Sequence, residues 1–207
     1  MGKSVYSIVL DDEVVECVDL AAAKTGESRS QFINRVIAGE VGFATSRQRL
    51  DDIIEAIDLC LAKYEKIKMV RRQRAAVDFL SALNYKYSPR IIYSVDFYPG
   101  EKKAKLTIAL RTTSIELAAL FTEFFENITR LEQEHFQKRF FNVEDGKVVR
   151  IMTFPANVDT KEAARIITAY VNRFDKLMNE YISTKDETKR RNDLKANFSK
   201  YKDEIPL

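Results

Sequence analysis

The fold of this chain is decided near its start, by residues 5–37, which read VYSIVLDDEVVECVDLAAAKTGESRSQFINRVI. The first six of these residues alternate in the way that is typical of a β-strand, and Tyr6, Ile8 and Leu10 share one face. A single strand exposes a row of backbone donors and acceptors unless another strand pairs with it. We therefore expect this strand to have a partner.

Two short amphipathic helices are predicted after the strand. The first covers residues 14–24 behind an acidic start, and Gly26 ends it because glycine readily adopts the positive φ of a helix C-terminus. Ser28 is a good N-cap for the second helix, whose apolar positions lie within residues 32–37. One strand and two short helices bury too little surface for a stable monomer, so we expect two copies to pair their strands and share one core.

This order of elements, together with the turn Gly26-Glu27-Ser28-Arg29-Ser30, resembles the ribbon-helix-helix family of DNA-binding proteins, the Arc and MetJ type, over roughly residues 3–40. The resemblance implies a homodimer, or a higher oligomer, whose two-stranded ribbon enters the major groove of double-stranded DNA. On the ribbon it assigns the base-facing positions to Lys3, Val5, Ser7 and Val9. At the start of the second helix it assigns the phosphate contacts to Ser28, Arg29 and Ser30.

Two features of the same region limit the DNA binding that the resemblance implies. Family members more often carry Arg, Lys, Thr, Asn or Gln on the ribbon, so base reading through Ser7 between two valines is expected to be thin. Residues 1–45 hold four bases and seven acids, whereas phosphate binding requires positive potential. These acids cluster in the first helix, away from the ribbon and from the start of the second helix. The net negative charge of the module nevertheless predicts weak DNA binding by one dimer.

Residues 45–85 are predicted to form a long helical connector. Thr45 and Gln48 have the spacing of a capping box, and apolar residues follow at helical spacing as far as Ile67. The apolar stripe then changes face near Val70, which indicates one long helix or two helices that meet there. The basic run within residues 63–74 is interpreted as a solvated helix surface in preference to a second DNA contact.

Residues 86–182 are predicted to form an antiparallel sheet from two β-β-α units. Strands over 91–97 and 104–110 precede a helix capped at Thr113. Strands over 140–143 and 147–154 precede a helix capped at Asp159, and the turns are Pro99-Gly100 and Asp145-Gly146. The repetition suggests an internal duplication, a four-stranded sheet and both helices on one face. Residues 183–207 form a charged tail with at most one helix. The predicted fold class is therefore α+β, with a module at residues 1–44 before the connector.

The sequence carries no pattern that indicates catalysis. Its one histidine, His135, cannot supply a His-rich metal site, and neither a nucleophile turn nor a Gly-rich loop after a strand is present. We therefore predict no enzyme, no cofactor and no metal. Cys17 and Cys60 are isolated, as in a protein of the reducing cytoplasm. No run approaches the ~18 apolar residues of a membrane helix, so a cytoplasmic location and no membrane partner are expected.

Three hypotheses about function follow from the resemblance. The first is a transcriptional regulator, of repressor type, whose C-terminal region oligomerises or senses a ligand. The second is an architectural factor of plasmid partition or relaxosome type, whose C-terminal region recruits a partner protein. The third is an antitoxin-like interaction module that mainly dimerises. The sequence gives neither the operator nor an effector.

Overall fold

The computed structural model describes residues 5–73, 75–98, 101–137, 140–144 and 147–201. Its architecture is α+β, as predicted, with six helices and six strands in the described residues. The chain divides into two compact units, residues 1–49 and residues 50–207. Helix α3 (Ser46–Leu61) begins in the first unit and continues into the second. A capping box starts it as predicted, because Thr45 and Gln48 exchange backbone-to-side-chain hydrogen bonds of 2.8 and 3.2 Å.

The first unit contains helices α1 (Asp12–Thr25) and α2 (Arg29–Glu40). Gly26 ends α1 with φ of 65°, and the Glu27 N–H donates to the Ala22 carbonyl at 2.9 Å, which confirms the predicted glycine stop. Ser28 caps α2 as predicted. Residues 5–10 lie outside every helix and strand of the described part, so the strand predicted there is absent from the single chain.

The second unit is built on one antiparallel sheet with strand order β1-β2-β3-β4-β6-β5. Its strands are β1 (Lys68–Arg72), β2 (Ala76–Ala82), β3 (Arg90–Phe97), β4 (Lys103–Leu110), β5 (Phe141–Glu144) and β6 (Lys147–Thr153). Its remaining helices are α4 (Ile115–Phe136), α5 (Thr160–Ser183) and α6 (Glu187–Tyr201). The described residues include no helix that is both long and apolar enough to cross a membrane.

The predicted helical connector is wrong beyond Leu61, where β1 and β2 follow in place of a helix. In β2, every second side chain is buried, namely Val77, Phe79 and Ser81, so the apolar residues that resembled a second helical stripe belong to a strand of period two. The prediction of four strands is therefore wrong, because the sheet has six. Strand β2 pairs with β3 along its whole length, so the sheet crosses the boundary predicted at residue 86.

The two predicted hairpins and their helices are confirmed. Strand β3 pairs with β4 and β5 pairs with β6, and α4 and α5 follow them in the predicted order. Asp159 caps α5 as predicted, whereas α4 is capped by Ser114 and not by Thr113, because the Ser114 hydroxyl accepts from the Leu117 N–H at 3.2 Å. The tail contains one helix, α6. The predicted turns at 99–100 and 145–146 lie outside the described residues.

The core of the second unit lies against one face of the sheet, which we call the core face. Val77, Phe79, Tyr93 and Leu106 on this face are buried, and α3, α4 and α5 contribute apolar side chains to the same cluster. The opposite face, which we call the outer face, carries half-exposed residues along the central strands. An antiparallel sheet of this kind has one dry face and one face open to solvent.

Candidate functional site

Residues 5–10 are the most exposed apolar segment of the chain. Val5 and Val9 are 98% and 100% exposed, and on the face that the sequence assigns to a shared core Tyr6, Ile8 and Leu10 are 83%, 56% and 38% exposed. All six residues of the segment are therefore open to solvent in the single chain. Ser7, on the face of the two valines, is also exposed. Lys3, the fourth predicted base-facing residue, lies outside the described residues.

The two helices beside this segment bury little of their own apolar surface. Among the described residues of the first unit, only Ala22 and Ala38 are buried. Eleven large apolar side chains of this unit are exposed: Val5, Tyr6, Ile8, Val9, Leu10, Val14, Leu20, Val36, Ile37, Val41 and Phe43. Where such side chains form one contiguous patch, they are typical of a protein interaction site.

The three residues assigned to phosphate binding lie together at the start of α2, and all are exposed. The Ser28 hydroxyl accepts from the Gln31 N–H at 3.3 Å, and the Gln31 side chain accepts from the Ser28 N–H at 3.2 Å. This capping box fixes the first turn of α2. The positive end of the helix dipole therefore meets solvent beside Arg29 and Ser30.

Arg29 has a protein partner that the sequence did not indicate. Its guanidinium donates to both carboxylate oxygens of Asp19 on α1, at 2.6 and 2.5 Å, and both side chains are about half exposed. The hydrogen bonds from Arg29 hold the pKa of the Asp19 carboxyl below its ordinary value. The two residues are ten positions apart and on different helices, so helical spacing gives no signal for this pair.

A second acid near the turn, Glu27, forms ion pairs with two other arginines. Its carboxylate accepts a hydrogen bond from the Thr25 hydroxyl at 2.9 Å and pairs with Arg35 at 3.0 Å and Arg47 at 3.4 Å. The hydrogen bond from Thr25, followed by the contacts with Arg35 and Arg47, lowers the pKa of Glu27. Glu27 thus ties the turn to α2 and to the start of α3, and it reduces the positive potential there.

The second unit contains two buried polar clusters, of which the first surrounds Asp175 on α5. Its carboxylate accepts from Tyr93 at 2.8 Å, from Ser81 at 3.0 Å and from Asn179 at 3.1 Å. Burial raises the pKa of Asp175 in spite of these donors. The Asn179 side chain in turn accepts from the Asn84 N–H at 2.7 Å. The cluster fastens α5 to β2 and β3, and we assign it to stability.

The second cluster centres on Arg150, a charged residue on the core face of β6. Arg150 is fully buried and pairs with the buried Glu132 of α4. Its guanidinium also stacks on Phe140 at 4.6 Å and on Tyr170 at 4.9 Å. Burial raises the pKa of Glu132, and Arg150 opposes that shift. This pair joins the sheet to α4 inside an aromatic cage, which is the role of an internal structural bridge.

Two open clefts lie on the surface of the second unit. One, of about 780 Å³, is lined by residues that include Asp51, Arg72 and Asp96. The other, of about 800 Å³, lies between residues 85–89 and 110–116. Within the described part of the chain, no group of three or more His, Cys, Asp or Glu residues is placed to hold a metal ion.

No protein-family model matches this chain, and neither a curated protein nor a solved structure matches it.

Proposed function

We propose that this protein is a dimeric DNA-binding regulator whose first unit pairs with that of a second copy through residues 5–10. One observation carries the proposal: the first unit buries only two alanines while eleven large apolar side chains stay exposed next to an unpaired segment. Pairing two such segments antiparallel satisfies their backbone groups and covers the apolar faces together. Burial of each Val, Leu or Ile side chain contributes about 1.5–3 kcal/mol, so a few per copy stabilise the dimer.

The same pairing defines the surface that meets DNA. With Tyr6, Ile8 and Leu10 turned to the shared core, Val5, Ser7 and Val9 form the outer surface of the ribbon, and Lys3 has the same parity. A two-stranded ribbon fits the major groove, where a serine hydroxyl can bond to a base edge and valines can contact thymine methyl groups. This set reads few bases directly, so specificity also draws on DNA shape and on cooperative assembly.

Phosphate binding at α2 requires Arg29 to exchange its partner. An ion pair as exposed as Arg29–Asp19 is weakened by solvent screening, so a phosphate at the helix N-terminus can replace the Asp19 carboxylate. The phosphate also gains the helix dipole and those backbone amides of the first turn that the capping box does not use, which Asp19 on α1 does not share. Ser28 and Ser30 add hydroxyl groups at the same place.

An antiparallel pairing module without DNA is the second candidate. It is favoured by the acids Asp19 and Glu27, which neutralise Arg29 and Arg35. In that case the first unit only dimerises, as in an antitoxin-like interaction protein, and the partner is another protein. The two candidates differ in what the removal of Arg29 does to DNA affinity.

Replacement of Arg29 by Ala tests the proposed function. We expect weaker binding to all duplex sequences alike, with a salt dependence flatter by about one unit of slope, because one phosphate contact is lost. Arg165→Ala is the matched control, since Arg165 forms an equally exposed, two-bond pair with Glu162 on α5. Fluorescence anisotropy on several duplexes at several salt concentrations measures the affinity and the salt dependence of both variants. Equal slopes for wild type and Arg29→Ala contradict DNA clamping and favour the interaction module.

A further inference from the structure

The strongest charge feature of the chain lies in the second unit, in residues 63–74, which we call the basic segment. These twelve residues hold six bases and one acid, Glu65, whereas the whole chain has a net charge of only +3. The bases are Lys63, Lys66, Lys68, Arg71, Arg72 and Arg74. A net excess of five charges over twelve residues produces a local positive potential that the overall composition conceals.

The structure places this segment at the edge of the sheet and not on a helix. Residues 62–67 connect α3 to β1, and β1 is the edge strand, paired with β2. The five described bases of the segment are all exposed. A helix would direct these side chains to several sides, which is why the sequence favoured a solvated surface. On the edge strand the register divides them: Lys68 and Arg71 oppose Leu80 and Asp78 on the outer face, whereas Arg72 opposes Val77 on the side of the core face.

A β-bulge in β1 brings two of these bases onto the same face. Met69 pairs with Phe79 and Arg71 pairs with Asp78, so Val70 is the extra residue. Without the bulge, Arg71 would oppose Val77, which is buried on the core face. With the bulge, Arg71 lies on the outer face together with Lys68, which pairs with Leu80.

The outer face continues this positive charge across the sheet. By register, the bases Arg90, Lys103 and Lys105 lie on the same face, together with the acids Asp78 and Asp96. Lys103 pairs with Glu101 at 3.4 Å, and Asp78, whose side chain is 20% exposed, pairs with Arg71 at 3.7 Å. The five named bases of this face still outnumber the three named acids.

We propose that the basic segment binds the phosphate backbone of duplex DNA, as a contact separate from that of the first unit. The inference rests on the proposed function for the identity of the polyanion. Charge complementarity selects a dense row of anions, and duplex DNA presents one phosphate per ~3.4 Å of helix axis on each strand. The contact is independent of sequence, and it supplies affinity that the acidic first unit lacks.

Protection of a sheet edge against aggregation is the competing explanation for bases on β1. A bulge and one or two lysines on the strand achieve such protection, and no bases are needed in the loop before the strand. The basic segment already has the bulge, and it continues over Lys63 and Lys66 outside the strand. The density of charge therefore exceeds what edge protection requires.

A triple substitution in the full chain tests the proposal: Lys68→Gln, Arg71→Gln and Arg72→Gln. The matched control is Lys176→Gln, Lys189→Gln and Lys195→Gln, which removes the same charge from exposed positions on α5 and α6. Binding of a labelled random-sequence duplex is titrated at several salt concentrations. We expect the triple variant to flatten the salt dependence by about two to three units of slope, and the control to change it by less than one unit.

The proposal is overturned if the two triple variants lose the same amount of salt-dependence slope, because the change then follows net charge alone. Equal affinity of wild type for poly-L-glutamate of matching charge also overturns it, since the segment would then be a surface for acidic proteins. If circular dichroism shows the triple variant to be unfolded, the single variants Lys68→Gln and Arg71→Gln decide, each with an expected change of about one unit of slope. Arg29→Ala, measured in parallel, reports separately on the first unit, so the two proposals fail independently.

Discussion

Single side chains determine how α5 is held on the sheet, and Asp175 shows this most clearly. Its carboxylate is buried and accepts three hydrogen bonds, of which two come from the strand residues Tyr93 and Ser81. Burial raises the pKa of Asp175, so the charged form is disfavoured in the folded state. Stability from this group is therefore present at acid pH and declines as the pH rises through the folded pKa.

Tyr93→Phe is expected to destabilise the second unit by about 1.5–3 kcal/mol at neutral pH, because it leaves a buried carboxylate with one donor fewer. The Tyr93 hydrogen bond lowers the pKa of Asp175, so its loss raises that pKa further. The deficit should then shrink as the pH falls through the raised pKa of Asp175, because the carboxyl is then protonated in the folded state of both proteins. Urea unfolding of wild type and variant at pH 7 and pH 4.5 measures it. A deficit independent of pH contradicts this account of the cluster.

Ser7 is the one polar residue among the described base-facing positions. Ser7→Ala should lower the preference for the cognate duplex by ~1 kcal/mol while the affinity for scrambled duplexes stays unchanged, because only a base contact is removed. Ser30→Ala, at the phosphate site, serves as the comparison and should weaken both duplexes equally. Competition titrations with the two duplexes give the result. An unchanged preference in Ser7→Ala would mean that the ribbon does not read bases through this hydroxyl.

Local chemistry made several residues predictable from the sequence, and long-range chemistry made others unpredictable. Gly26, Ser28 and Asp159 act on backbone groups within three or four residues, so their roles as a helix stop and two caps follow from spacing alone. The pairs Arg29–Asp19 and Arg150–Glu132 join different elements. Nothing in the order of residues shows that such side chains meet.

At the scale of elements, the two hairpins and the helices after them were predictable because each has a clean period and its own start and stop signals. The strands β1 and β2 were not, because the segment around Val70 is interrupted by a bulge and by a run of bases. A bulge shifts the alternation by one residue and therefore hides the period of two. The apolar positions that remained fitted a helix equally well.

Residues 5–10 are a different case, because we propose that their structure depends on a partner. Alternation predicts a strand there, and the single chain has none over these residues. A strand forms only when another strand offers its backbone groups. The candidate site was thus predictable as a pattern, whereas its formation in a dimer stays a prediction.

At the scale of the whole molecule, the second unit should fold without the first, and it should need α3, β1 and β2 to do so. A fragment of residues 50–207 is expected to unfold in one cooperative transition. A fragment of residues 86–207 lacks Ile54, Ile57, Val77 and Phe79, which are buried in the common core, and it exposes the edge of β3. Circular dichroism in urea compares them. Equal stability of the two fragments would contradict the role of these elements in the core.

The central claim, that residues 5–10 pair two copies, is tested most directly by sedimentation equilibrium of the full chain and of Ile8→Asp. Wild type should sediment as a dimer at micromolar concentration. Ile8→Asp should be a monomer with an unfolded first unit, because the substitution places a charge in the shared core. Ile115→Asp, at an exposed isoleucine of α4, is the matched control and should remain dimeric. A monomeric wild type, or an Ile8→Asp variant that stays dimeric, would contradict the account.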